Sequence, residues 1–224
     1  FRGEALASIS SVSNIVLDTY DENESTYLNL KAGKFITEKT GSMRKGTIIE
    51  VSELFYNTPA RLKFMKSLNA ELALTVNYIE KIALSHPDIS IALFNDGKEM
   101  IKTSGSNDIY KVIHEIFGLN VSKNMIKIEA ENYDYIINGY ISNLNLSKSN
   151  RNSMITLVNG RVVSNQSVNR TIKDAYHTVL AENKFPIVVI NIETDPTLID
   201  VNIHPTKQDI KFSKLESLDD LLFS

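Results

Sequence analysis

The feature that most narrows the fold lies in the second half of the chain. Residues 153–158 have strand chemistry, and Asn159-Gly160 follows as a turn. Val168, Ile172, Ala175 and Val179 then recur at helical spacing, and 186–193 is a β-branched run. Strand, helix, strand at this length is a βαβ unit, whose crossover should be right-handed. Residues 125–130 and 135–142 precede it as a strand pair. A strand pair followed by a βαβ unit, after a first half of antiparallel strands and helix, reads as an α+β fold.

The first half has a different rhythm. Residues 1–9 read as a glycine-bearing turn leading into a short helix. Residues 14–20, 27–36 and 47–51 read as antiparallel strands with polar turns, with Gly33 punctuating the second. One long helix should follow. Thr58 can cap it, Pro59 suits its first position, and Leu62, Met65, Leu68, Leu72, Val76, Ile79 and Ala83 keep its spacing until His86-Pro87. Residues 89–94 and 99–103 flank the hairpin turn Asn95-Asp96-Gly97. Thr103-Ser104-Gly105-Ser106 is the best linker, followed by a helix over 108–117 that Gly118 can end. A domain boundary near 105 is expected, giving 1–105 and 106–224.

Composition excludes several chemistries. There is no cysteine, so disulfides, zinc ribbons and thiol nucleophiles are out. The histidines, His86, His114, His177 and His204, stand too far apart for a paired metal motif. No apolar run approaches the roughly 20 residues of a membrane span. The whole chain carries −3. Yet the 39 residues from 135 to 173 hold no acid and five cations, Lys148, Arg151, Arg161, Arg170 and Lys173, leaving −8 for the rest. A local basic surface on an acidic chain is a footprint for phosphate, although five cations on a solvated face would read the same way. Asp200-Val201-Asn202-Ile203-His204-Pro205-Thr206-Lys207 runs from strand chemistry into a proline-stiffened turn. Lys207 there could meet a terminal phosphate or be an ordinary loop lysine. Phe1-Arg2-Gly3-Glu4 places a glycine before a helix, where backbone amides can face an anion. Asp219 and Asp220 read as solvated, and Tyr176 and His177 as packing or exposed groups.

Taken as whole strings, these segments become specific. Phe1-Arg2-Gly3-Glu4-Ala5-Leu6-Ala7-Ser8-Ile9 resembles the third ATPase motif of the MutL family of DNA mismatch-repair proteins. Gly46-Thr47, then Val51-Ser52-Glu53-Leu54-Phe55-Tyr56-Asn57-Thr58-Pro59-Ala60-Arg61-Leu62-Lys63-Phe64, is similar to that family's next block. Leu157-Val158-Asn159-Gly160-Arg161 and the segment ending at Lys207 match two more, in the right order. The resemblance covers essentially the whole chain.

It implies a split ATPase of the gyrase, heat-shock chaperone, histidine kinase and MutL superfamily. Residues 1–105 would be the later part of an α/β-sandwich domain holding ATP with Mg2+. Residues 106–224 would be a βαβ-containing transducer domain with a basic surface. Phe1, Arg2, Gly3 and Glu4 would face the phosphates, Thr47 would sit beside the nucleotide, and Lys207 would reach the γ-phosphate as the catalytic lysine. Lys148, Arg151, Arg161, Arg170 and Lys173 would contact DNA.

ATP binding would draw the domains together and favour a homodimer or related-subunit dimer that engages DNA, alongside a mismatch-recognition partner protein. The location implied is intracellular, cytoplasmic in a bacterium or nuclear in a eukaryote, without a membrane. The chain begins at Phe1, and the family's catalytic glutamate, magnesium-binding asparagine and D-x-G-x-G turn precede its match. No metal ligand is therefore expected here, and these residues alone are expected not to turn over ATP. Two alternatives compete. The ATPase half of a type II topoisomerase would carry Q-T-K where this chain has His204-Pro205-Thr206-Lys207. A non-catalytic DNA-binding scaffold module would keep only the fold.

Overall fold

The structure, a computed structural model, describes residues 4–200 and 210–224. The chain divides into two compact units, 1–71 and 72–224.

The first unit opens with α1 (Ala5–Ser10) and continues into β1 (Asn14–Tyr20), β2 (Ser25–Lys31), β3 (Lys34–Lys39) and β4 (Gly46–Ser52). These strands form an antiparallel sheet in the order β3-β2-β1-β4. Where one run over 27–36 was expected, Ala32 and Gly33 both take positive φ and fold it into the β2–β3 hairpin. Buried positions in this unit cluster where α1 meets β1, at Ser10, Val12, Ser13 and Ile15.

The expected single helix is two. α2 (Pro59–Lys63) is short, and α3 (Leu68–Ser85) starts afresh. The cause is local hydrogen bonding. Thr58 caps no amide, and its hydroxyl instead reaches the Phe55 carbonyl at 3.5 Å. The Ser67 hydroxyl accepts the Ala70 amide at 3.4 Å, while the Glu71 carboxylate accepts the Lys66 amide at 2.8 Å. A serine and a glutamate thus satisfy free donors at a new helix start.

The second unit adds β5 (Ala92–Asn95), β6 (Lys98–Lys102), α4 (Ile109–Phe117), α5 (Leu119–Ser122), β7 (Met125–Glu131) and β8 (Tyr135–Ser142). Then come β9 (Met154–Val158), β10 (Arg161–Val163), α6 (Gln166–Ala175) and β11 (Val188–Thr194). The pair β12 (Ile199–Asp200) and β13 (Lys211–Phe212) precedes α7 (Leu215–Phe223). The main sheet has the order β10-β9-β11-β8-β7. β9 and β11 pair in parallel, as the expected βαβ unit requires, and its other pairs are antiparallel. α6 ends at Ala175, so Val179 lies beyond it.

Helices cover both faces of this sheet, and alternation decides which residue goes where. Val188, Ile190 and Ile192 join Met154, Val158, Val168, Ile172 and Leu218 in one core. Ile187, Val189 and Ile155 face the opposite way, into a second core with Ala83, Leu84, Val112 and Ile113. β9 is buried at every position, and Thr156 is its one polar residue among Met154, Ile155, Leu157 and Val158. A Cβ at Gly139 would lie 2.8 Å from the Ile190 Cα, so only glycine lets β8 approach β11 this closely. Because Ala83 and Leu84 share a core with α4, the compact units divide at 71/72 rather than near 105. The mixture is α+β, as expected.

Candidate functional site

The acid-free stretch folds within the second unit. Arg151 begins one turn of 3-10 helix (Arg151–Ser153), which Asn150 caps by accepting the Asn152 amide at 3.0 Å. Arg161 is the first residue of β10, immediately after a two-residue turn. Asn159 and Gly160 have φ of 48° and 77°. Two successive positive φ values fit the type I′ turn, whose twist suits a hairpin. α6 carries Arg170 and Lys173 three residues apart, hence on one face. Its start is fixed by Asn165, which accepts the Val168 amide at 3.0 Å.

These elements bring four of the expected cations around two adjoining cavities. One, of about 560 Å³, is lined by Arg151 and Arg161, with Met154, Ile155, Val162 and Val163 among its apolar residues. The other, of about 870 Å³, is lined by Arg151, Arg170 and Lys173. Arg151, Met154 and Asn169 belong to both. Lys148 lines neither. Its backbone is locked to Phe185 by hydrogen bonds of 2.8 and 2.9 Å.

A fifth cation, from outside the acid-free stretch, joins these four. Lys81 on α3 lines the smaller cavity together with Arg151 and Arg161. Charge counting along the sequence missed it because Glu80 stands beside it and cancels its charge. Burial holds the Lys81 ammonium below its ordinary range, with Glu80 opposing that shift. Burial likewise pushes the Glu80 carboxyl up, against the pull of Lys81 and Lys148.

The cations are not equally available. Arg170 is partly neutralised by Asp174, 3.6 Å away in an exposed i,i+4 pair. The Lys173 ammonium sits 5.4 Å from the Phe185 ring centroid. Among the described residues, Lys81, Arg151 and Arg161 make no ion pair. Asn77, Asn152, Ser164 and Asn169 complete the polar lining of the smaller cavity. Cations with interspersed amides and hydroxyls are suited to phosphate oxygens, and such contacts carry no base readout.

The expected nucleotide residues are only partly described. Phe1, Arg2, Gly3 and Lys207 lie outside the described residues. Glu4 precedes α1 as an exposed cap residue whose side chain bonds no helix amide. Thr47 is exposed on β4, where its hydroxyl shares a 2.8 Å hydrogen bond with that of Thr19 across the β1–β4 ladder. On either side of Lys207, β12 and β13 pair through Ile199 with Phe212 and Asp200 with Lys211. Among the described residues, no three His, Asp or Glu side chains cluster as metal ligands. No described helix is long and apolar enough to cross a membrane.

Residues 113–224 match the family model described as DNA mismatch repair protein, C-terminal domain. A DNA mismatch repair protein MutL of Listeria monocytogenes is 44% identical over 223 residues, covering 99% of this chain and 37% of that relative. The chain thus spans well under half the length of the curated relatives it matches. Among solved structures, the Aquifex aeolicus MutL ATPase domain complexed with ADP covers 98% of this chain and 76% of that one, with 25% identity and a TM-score of 0.74. The N-terminal domain of a DNA repair protein covers 100% of this chain and 73% of its own. Its TM-score of 0.85 at 24% identity is a likeness of fold.

Proposed function

The chain belongs to the MutL family of DNA mismatch repair proteins, and on that premise we propose that it couples ATP to duplex engagement. The observation that carries this reading is the convergence of Arg151, Arg161, Arg170, Lys173 and Lys81 on two adjoining cavities. In a protein of net negative charge, such a focus draws a polyanion to one place. With several cations and only one aromatic in each lining, Tyr78 and Phe185, it suits the phosphate backbone and little sequence preference.

Residues 1–105 are assigned to nucleotide handling and 106–224 to transduction and DNA contact, with the end of α3 packing with the latter. Thr47 offers an exposed hydroxyl for hydrogen bonding to nucleotide. Glu4, next to a helix start, belongs to the phosphate side rather than serving as a base. Lys207 is assigned the γ-phosphate, where its charge would stabilise charge building up in the transition state. Magnesium, when bound, supplies charge neutralisation at the phosphates, and none of the described residues is assigned to it. ATP binding then favours dimerisation and DNA engagement, and hydrolysis reverses the bias. The type II topoisomerase alternative is less supported, since relatives matching nearly the whole chain carry the MutL name.

Lysine footprinting on the full-length protein tests the DNA assignment. Duplex DNA should shield Lys81 and Lys173 from acetylation, while Lys98 and Lys102 on β6 stay reactive. Equal labelling of Lys81 and Lys173 with and without duplex would remove the assignment.

A further inference from the structure

Arg161 is presented by a turn that side-chain hydrogen bonds tie to β11. The Asn159 carboxamide donates to the Thr194 carbonyl and accepts the Thr194 amide, both at 3.0 Å. It therefore pairs with the last residue of β11 much as a strand peptide would. Next to it, the Gly160 amide donates to the Asn191 Oδ1 at 3.1 Å. Asn191 is held in turn, because its Nδ2 donates to the Glu193 carboxylate at 3.1 Å. That same carboxylate oxygen accepts from Asn138 on β8 at 3.0 Å. The backbone adds a bond from the Asn159 amide to the Ile192 carbonyl at 3.0 Å. Thr194 is itself tied by its hydroxyl to the Asp134 carbonyl, also at 3.0 Å.

Most two-residue hairpin turns stand free and need only the positive φ that Asn-Gly provides. This one has three hydrogen bonds from its two residues' side chain and amide beyond the ladder. Their directions are informative. Asn159 fixes the turn along β11, and Asn191 fixes the amide immediately preceding Arg161. Arg161 itself is exposed and lines the smaller cavity. Without the clamp, the end of the three-residue strand β10 would fray, and the guanidinium would sample many directions. A cation held in place loses less conformational entropy on meeting a phosphate.

We propose that Asn159 and Asn191 are positioning residues for DNA binding. Asn159 through Thr194, and Asn191 through Glu193 and Asn138, lock the turn that aims Arg161 into the basic cavity. The proposal rests on the DNA reading given above and adds the residues that make one of its contacts effective.

The test uses full-length protein and a labelled duplex of mixed sequence, with affinity measured across a salt series. Asn159→Gly keeps the left-handed backbone accessible while deleting the clamp. Asn191→Val keeps a strand-forming residue while deleting the acceptor for the Gly160 amide. Each should weaken binding roughly threefold to tenfold and flatten the salt slope toward the loss of one phosphate contact, about 0.9. Neither should weaken it further in an Arg161→Gln background, a coupling that general loss of structure would not produce. Thermal melting identifies a variant that fails to fold, and the other variant then decides. Equal losses with and without the Arg161 change, or unchanged affinity and slope, would overturn the positioning role alone. If Arg161→Gln itself left affinity and slope unchanged, the DNA reading at this residue would fall and the proposal with it.

Discussion

Glu80 and Lys81 are neighbours on α3 that burial drives in opposite directions. Glu80 is the more informative, since its carboxyl is pushed above its ordinary value of 4.5. A carboxyl with a higher pKa folded than unfolded binds its proton more tightly when folded. Its contribution to stability therefore falls as pH rises from the unfolded value through the raised one. Glu80→Gln removes that loss. The full-length variant should melt higher than wild type at neutral pH, and the gap should close on acidification. Melting curves between about pH 4 and about pH 8 would check this. A variant less stable at neutral pH would mean that attraction to Lys81 and Lys148 outweighs burial. Lys207 belongs to the same scale. Lys207→Ala in the full-length protein should slow hydrolysis while leaving ADP affinity nearly unchanged, because ADP lacks the γ-phosphate. A lost buried charge contact is worth on the order of 2–5 kcal/mol. Equal losses of ADP and ATP affinity with unchanged turnover would remove Lys207 from the γ-phosphate.

Elements were legible where local chemistry decided them. β1 spans the expected Asn14–Tyr20, and Asp96-Gly97 and Asn159-Gly160 mark hairpins because their backbones take positive φ at those positions. The long helix was misread where two local signals conflicted. Apolar spacing runs straight through residues 64–67, but Ser67 and Glu71 satisfy a fresh set of amide donors there. Periodicity shows which face is apolar, and it does not register an interruption that keeps phase. Caps make the distinction testable. Asp108 accepts the amides of Tyr110 and Lys111 at 2.9 and 3.3 Å and so caps α4, whereas Thr58 caps nothing. Asp108→Ala should cost about 1 kcal/mol, and Thr58→Ala should stay within about 0.5 kcal/mol. Denaturant midpoints of the two variants would separate them. Comparable losses would show that Thr58 stabilises its helix by another route.

At the scale of the molecule, the basic stretch was legible because charge is a property of composition. How its members group depends on tertiary packing. Lys148, equal to the others in sequence, is held at Phe185 and lines neither cavity, while Lys81 enters from a helix more than fifty residues earlier. The division of the chain was likewise set by packing, since the serine- and glycine-bearing linker at 103–106 marks a break in local structure but not in the core that spans it. Ala83 and Leu84 before it share one core with Val112 and Ile113 after it, and the Ser104 amide donates to the Glu115 carboxylate at 3.0 Å. The central claim is that the cavities on the second unit hold the DNA backbone. Its most direct measurement is the salt dependence of duplex binding by the full-length protein carrying Arg161→Glu and Arg170→Glu. Affinity should fall, and the slope of log affinity against log salt should flatten by between about 0.9 and about 1.8. The smaller value applies if Asp174 already occupies Arg170. Unchanged affinity and slope would contradict the account and make the acid-free stretch a solvated face.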